Sequence, residues 1–269
     1  MELRNILVCL KAVPDVEKIR IDERTGNLVR AGVPCTVNPL DAGALELALR
    51  IRDSSSGCRV LALSMGMESA AGLLRECLAA GADEVFLLCG EVFGGSDTLA
   101  TSYALSCAVR YLSARAGEIS LILCGMKSAD GETAQVGPEL AEYLDIPQIT
   151  GAVGLIVGPD RVEAWRETDE GTELVGSPLP CLVTVAELGY SLRCPTVKDR
   201  IAARRAAVHV IRPEELEIDL SKVGQRGSPT KVKGVETPEF CRRPQILQAE
   251  SGGEAAEKLM DILHRIGAV

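Results

Sequence analysis

The sequence predicts a Rossmann-like α/β fold: a parallel sheet with helices on both faces, an antiparallel strand addition and an extended C-terminal arm. Three observations carry it. Apolar runs and helical patterns alternate through the first half of the chain, the mark of strands joined by crossover helices. The apolar runs are nearly continuous, as expected of strands covered on both faces. Hydrophobic residues make up 46% of the 269 residues but aromatics only 3%, which suits a large core of packed aliphatic layers.

Taken in order, residues 5–13 (NILVCLKAV) read as the first buried strand, ended by Pro14. Alternation at 18–22 and 28–30 around Thr25-Gly26-Asn27 reads as a small hairpin. Asn38 is placed to cap a helix with Pro39 at its first position, and Leu45, Leu47, Ala48, Leu49 and Ile51 give that helix a buried stripe. Residues 59–64 form the second strand, 68–80 a helix closed by Gly81-Ala82-Asp83, and 84–88 the third strand. A glycine-bearing loop at 90–95 leads to Asp97, a cap for a long helix reaching Ala116. The fourth strand, 119–124, runs into a loop and a helix through residues 139–144.

After Pro147 the texture changes. Residues 153–157, 161–166 and 172–175 are short runs separated by turn residues, the pattern of antiparallel strands, and 180–185 is a further buried strand. Trp165, the only tryptophan, reads as a packing residue. These features divide the chain into an α/β domain over residues 1–210 and an arm over 211–269. Residues 224–238 are rich in Gly, Pro, Ser, Thr and Lys. Residues 254–266 form an amphipathic helix with Ala255, Leu259, Met260, Ile262 and Leu263 on one side. An arm with no core of its own is expected to pack on another subunit.

The chemistry concentrates where the fourth strand becomes a helix. The first N–H groups of a helix lack internal partners and sit at the positive end of its dipole, so a strand–turn–helix is a natural anion site. Gly125 and Gly131 permit close approach or positive φ, and Asp130 or Thr133 is placed to cap the helix. We read this loop as the seat of a nucleotide phosphate, although its spacing is neither a P-loop nor G-x-G-x-x-G. The plainer alternative is that these residues only close a turn. Right-handed crossovers bring the ends of the first, second and fourth strands, near Cys9, Met65 and Gly125, to one edge.

Composition excludes other classes. A net charge of −9 and few aromatics argue against nucleic acid. No apolar run is long enough to span a bilayer, so no membrane insertion and a cytoplasmic location are expected. The ten cysteines include no C-x-x-C pair, so zinc and iron–sulfur spacing is absent. Cys9, Cys89 and Cys181 sit in apolar runs as small core residues. His209 and His264, the two histidines, have no triad partners nearby. The basic stretch 193–205 is either a solvated helix face or a docking surface for an acidic partner.

Several stretches, in this order, resemble the beta (small) subunit of electron-transfer flavoprotein. They are the opening LRNILVCLK at 3–11, Asn38-Pro39-Leu40-Asp41, Gly81-Ala82-Asp83, residues 125–138 and LPCLVTV at 179–185. The resemblance covers nearly the whole chain. It implies a heterodimer with an alpha subunit that carries one FAD, and an adenine nucleotide in the beta subunit itself. In respiratory members that nucleotide is a structural AMP; in electron-bifurcating members it is a second FAD. The family's nucleotide contacts map onto Cys9, Asn38, Pro39, Leu40, Asp41, Met65, Gly125, Met126, Lys127, Ser128, Ala129, Asp130, Gly131, Glu132, Thr133, Ala134, Gln135 and Val136.

The run Asp130-Gly131-Glu132-Thr133-Ala134-Gln135-Val136-Gly137-Pro138 is similar to the bifurcating form D-G-(D/E)-T-A-Q-V-G-P. The respiratory form has Asn-Gln-Thr-Gly there. FAD is therefore favoured, with AMP as the alternative; the AMP form would be a docking scaffold without a redox centre. With FAD the chain would oxidise NADH, sending one electron through the alpha-subunit FAD to an acyl-CoA-dehydrogenase-type partner and the other to ferredoxin or flavodoxin. No side chain need act as a catalytic acid or base. The resemblance also implies a docking segment at Arg193, Thr196 and Val197. Here it departs from the family: Cys194 replaces an aromatic, Val197 stands at a leucine anchor, and Lys198-Asp199-Arg200 replaces Pro-Gly-Ile. A nucleotide-binding stress or sensor protein on a similar sheet is the reading from another class, and the arm argues against it.

Overall fold

The computed structural model describes residues 3–15, 20–21, 28–29, 34–55, 57–187, 189, 191–231 and 246–268. In chain order the strands and helices are β1 (Asn5–Leu10), β2 (Ala12–Pro14), β3 (Arg20–Ile21), β4 (Leu28–Val29), β5 (Cys35–Val37), α1 (Pro39–Ser54), β6 (Arg59–Met65), α2 (Ala71–Ala80), β7 (Glu84–Leu88), α3 (Thr98–Ala116), β8 (Ile119–Gly125), α4 (Val136–Leu144), β9 (Gln148–Val157), β10 (Arg161–Thr168), β11 (Gly171–Pro178), β12 (Cys181–Val185), α5 (Val197–Arg205), β13 (His209–Ile211), α6 (Gly224–Gly227) and α7 (Gly252–Arg265). They fall into two units, Met1–Lys231 and Val232–Val269.

The main sheet has the order β11-β10-β9-β12-β8-β1-β6-β7-β13. Neighbours from β9 to β13 are parallel, and β10 and β11 add on antiparallel. Alternate residues of one strand feed two cores. Ile6, Val8 and Leu10 pack with Leu45 and Leu49 of α1 and Leu74 of α2. Leu7 and Cys9 pack with Leu105 and Leu112 of α3 and Leu140 of α4. This is why the central strands read as unbroken apolar runs: no face meets water, and each buried aliphatic side chain contributes about 1.5–3 kcal/mol.

Some expectations are corrected by tertiary pairing. The run 5–13 is two strands: β1 stops at Leu10, and β2 turns away to pair antiparallel with β5, Val13 opposite Thr36. Of the expected hairpin, Arg20–Ile21 pairs with Leu28–Val29, and its remaining residues lie outside the described ones. The strand expected at 153–157 begins at Gln148. Its first part is parallel to β12, with Ile149 opposite Val183, and its second is antiparallel to β10, with Leu155 opposite Ala164. The pairing with β12 slips by one residue around Gly151, which sits at φ +70°, a backbone state side chains disfavour, and whose N–H donates to Thr184 Oγ1 at 2.9 Å. Trp165 is 38% exposed, so it packs only partly.

Residues 213–228, read from sequence as part of the arm over 211–269, close over the loop before α3. Gly224 N–H donates to Ser96 Oγ at 3.1 Å, Gln225 N–H to Gly94 O at 3.0 Å, and Asp97 N–H to Ser228 Oγ at 2.8 Å. In the second unit Ser251 caps α7 by accepting from Glu254 N–H at 3.3 Å, and no residue of that helix is buried. Among the described residues no helix is long and apolar enough to cross a membrane.

Candidate functional site

β1 and β8 lie side by side with Cys9 opposite Cys124. From β1 the chain goes on to β6 on one side, while β8 lies on the other, so the two strand ends open a crevice where open α/β sheets take ligands. The start of α1 fastens this crevice. Asp41 is buried and accepts from Lys11 N–H at 2.7 Å and Gly125 N–H at 2.8 Å, one per carboxylate oxygen. Asn38, equally buried, donates to Lys127 O and accepts from Ala129 N–H, both at 3.0 Å.

These two residues explain Asn38-Pro39-Leu40-Asp41. Pro39 opens α1 as expected, but the Asn38 side chain does not cap the helix; it is spent on the β8 loop. Gly125 is needed because α1 comes so close: a Cβ there would lie 2.5 Å from Asp41 Oδ1 and 2.8 Å from Leu40 Cβ. Gly125 and Gly131 are not the positive-φ residues of the loop; Glu132 and Ala134 are, at +54° and +56°. Such strain, about 1–3 kcal/mol per residue, gathers at ligand sites. Neither Asp130 nor Thr133 caps α4, whose first turn has no side-chain cap. Asp130 instead pairs with Lys11 Nζ at 2.7 Å, and Glu132 with Lys127 Nζ at 3.0 Å. Both acids are thereby committed to holding the loop.

The crevice opens into a cavity of about 940 Å³. Cys9, Asn38, Asp41, Met65, Gly125, Met126, Lys127, Ser128, Gly131, Thr133, Ala134, Gln135 and Val136 line it. Pro39, Leu40, Ala129, Asp130 and Glu132 do not. Sequence reasoning missed the opposite wall: Cys89 and Gly90 after β7, Phe93 to Thr98, and Arg212. Arg212 arrives from the three-residue β13, and its guanidinium donates to Glu68 Oε1 at 2.5 Å and Cys89 Sγ at 3.6 Å. No local pattern marks a residue brought in by so short a strand.

The electrostatics follow from burial. Loss of water raises Asp41 to about 6, against the opposing pull of its bonds from Lys11, Gly125 and Asn38. Burial, and then the neighbouring Asp41, push the Cys9 thiol up to about 12. The Cys124 thiol is driven up by burial, by Cys9 and by Asp41. Neutral thiols are poor nucleophiles, so the floor of the site binds rather than reacts. Burial would raise Asp130, but bonds from Lys11 and Ser128 outweigh it and lower its pKa.

The residues expected to dock a partner lie elsewhere in the same unit. Thr196 and Asp199 form a reciprocal cap on α5, leaving Val197 at its first position 75% exposed. The Arg193 guanidinium is engaged by Glu46 and Asp53 of α1.

The electron transfer flavoprotein domain model matches residues 25–216. The chain is 40% identical over 253 residues to the electron transfer flavoprotein subunit beta of Megasphaera elsdenii, covering 93% of this chain and 94% of that one. It is 38% identical over 265 residues to the subunit of the same name from Thermoanaerobacterium thermosaccharolyticum, covering 98% of each. Subunit CarD of the caffeyl-CoA reductase-Etf complex of Acetobacterium woodii is 37% identical over 258 residues, 96% of this chain and 97% of that one. The parallel sheet, the crevice and these similarities agree, and the chain belongs to the electron transfer flavoprotein family as one of its beta subunits.

Proposed function

We propose that this beta subunit holds FAD at the ends of β1 and β8 and serves flavin-based electron bifurcation. Electrons would enter from NADH and leave towards the alpha-subunit FAD, an acyl-CoA-dehydrogenase-type flavoenzyme, and ferredoxin or flavodoxin. The size of the cavity supports FAD over AMP. Its volume of about 940 Å³ sits near the top of the roughly 300–1,000 Å³ range of small-molecule pockets. It also runs on past the β8 loop to Met67, Glu68, Cys89 and Arg212, leaving room for the second half of a dinucleotide.

When bound, FAD supplies the ability to take an electron pair and release it as single electrons. The chain's residues bind and orient. The uncapped first turn of α4 offers N–H groups to phosphate, while Lys11 and Lys127, paired with Asp130 and Glu132, hold the loop that presents them. Asn38 and Asp41 keep that loop in place. Arg212, paired with Glu68, would help hold the far half of a bound dinucleotide.

The test is a count. The purified heterodimer, denatured and assayed by absorbance and by chromatography of the released nucleotides, should yield two flavins per dimer. One flavin with one AMP would overturn the reading in favour of a scaffold role.

Docking of the dehydrogenase is proposed at α5, through the exposed Val197 and Ile201. Val197→Asp is expected to slow electron exchange with the dehydrogenase about tenfold, since a charge in an apolar anchor contact costs 1.4 kcal/mol or more. Nucleotide content should stay the same. Stopped-flow rates equal to wild type would remove Val197 from the interface. The second unit, which exposes Leu259 and Met260 on α7 and Ile266 just after it, is the proposed contact with the alpha subunit.

A further inference from the structure

Glu46 lies mid-way along α1 with its side chain almost wholly out of water, 4% exposed. A buried carboxylate in a helix interior needs a reason, because leaving it unpaired costs several kcal/mol. Here it is saturated. It accepts from Arg193 three times, from the backbone N–H at 3.0 Å, Nε at 2.9 Å and Nη2 at 3.2 Å, and once from Arg50 Nε at 2.8 Å. The free side of the same guanidinium reaches Asp53 Oδ2 at 2.7 Å, one further turn or two along α1. Burial would raise the Glu46 carboxyl, but the bonds from Arg193 and Arg50 outweigh it and hold it below the usual range.

The bond to the Arg193 backbone N–H fixes main chain as well as side chain. Three residues later Thr196 caps α5 through Asp199, and Val197 and Ile201 stand exposed on that helix. We propose that Glu46 is a positioning residue: by gripping both the main chain and the guanidinium of Arg193 from α1, it sets where the chain enters the docking helix α5, which itself packs on α2. The proposal rests on the reading that α5 docks the dehydrogenase. Glu46 itself touches neither partner nor nucleotide. Its effect is to present Val197 and Ile201 already in place, so that docking does not have to order the segment first.

Replacing Glu46 by glutamine keeps shape and removes charge, leaving one oxygen for four donors. In the intact heterodimer, with the acyl-CoA-dehydrogenase-type flavoenzyme as the probe, E46Q should raise the apparent KM for the dehydrogenase about tenfold, as for the loss of a buried charge-pair partner. kcat at saturation and flavin content should be unchanged. Arg193→Lys, which keeps charge but loses the fork, should shift KM the same way by less, and serves if E46Q does not fold. The double variant E46Q/V197D should be little worse than V197D alone, because both act on one docking event. If V197D raises KM and neither E46Q nor R193K does, the positioning role of Glu46 is overturned and docking at α5 stands. If V197D leaves KM unchanged, the docking reading falls and this proposal with it. A drop in flavin content in folded E46Q would also overturn it, by making Glu46 a residue of the nucleotide site.

Discussion

Gly125→Ala is expected to strip the purified heterodimer of its beta-subunit nucleotide and to destabilise the beta subunit by about 3 kcal/mol, the upper end for forcing atoms into a packed site. The added Cβ would stand 2.5 Å from Asp41 Oδ1 and 2.9 Å from the Asp41 backbone N. The oxygen alone can swing away, but the backbone N belongs to the first turn of α1 and cannot move without the helix. Either β8 or α1 must give way, and the Gly125–Asp41 bond goes with it. Nucleotide released on denaturation, together with thermal melting, reads both effects. A variant that retains full nucleotide and melts with wild type would show that α1 does not fasten the loop.

Asp41→Asn separates stability from site order. Asparagine offers one oxygen where two N–H donors converge, from Lys11 and Gly125, and turns an N–H₂ against the other. A stranded buried donor costs about 1–3 kcal/mol, and nucleotide retention at pH 7 should fall about tenfold or more. The pH dependence has a definite sign. Burial raises Asp41 from 3.8 to about 6, so between these values the folded protein holds a proton that the unfolded chain has shed. Wild-type stability from this group is therefore full below about pH 4 and lost as pH climbs to 6, by about 3 kcal/mol in all. Asparagine does not titrate. Melting temperatures across pH 4–7 should show the variant well below wild type at the acid end, with the gap closing towards neutrality. A gap that widens with pH would mean that Asp41 is held ionised rather than resisted.

The parts legible in the sequence were those with one local cause. β1, β6, β7, β8 and β12 announce themselves because both faces are covered, and Asp97 caps α3 as its spacing indicates, accepting from Ala100 N–H at 3.0 Å. The strand ends at Cys9, Met65 and Gly125 meet because parallel connectivity leaves them no other edge. What stayed hidden depends on two distant segments at once. Asn38 and Asp41 look like the start of a helix, and nothing local shows that their side chains turn to residues 125–129. β9 changes partners half-way along, so no single period describes it. Arg193 looks like one basic residue among several until Glu46, 147 positions away, is seen to bind it.

α1 carries two attachments on one 16-residue rod: Asn38 and Asp41 at its head grip the β8 loop, proposed to seat the nucleotide, and Glu46 and Asp53 further down grip Arg193, which leads into α5. A lineage acquiring a new redox partner could not easily alter that rod, since any shift in it would disturb the cofactor seat. Adaptation would have to be confined to the outward side chains of α5, where Val197, Lys198 and Arg200 can be exchanged cheaply. If α5 docks the dehydrogenase as proposed, partner choice in this protein is a matter of interchangeable facing on a fixed mount.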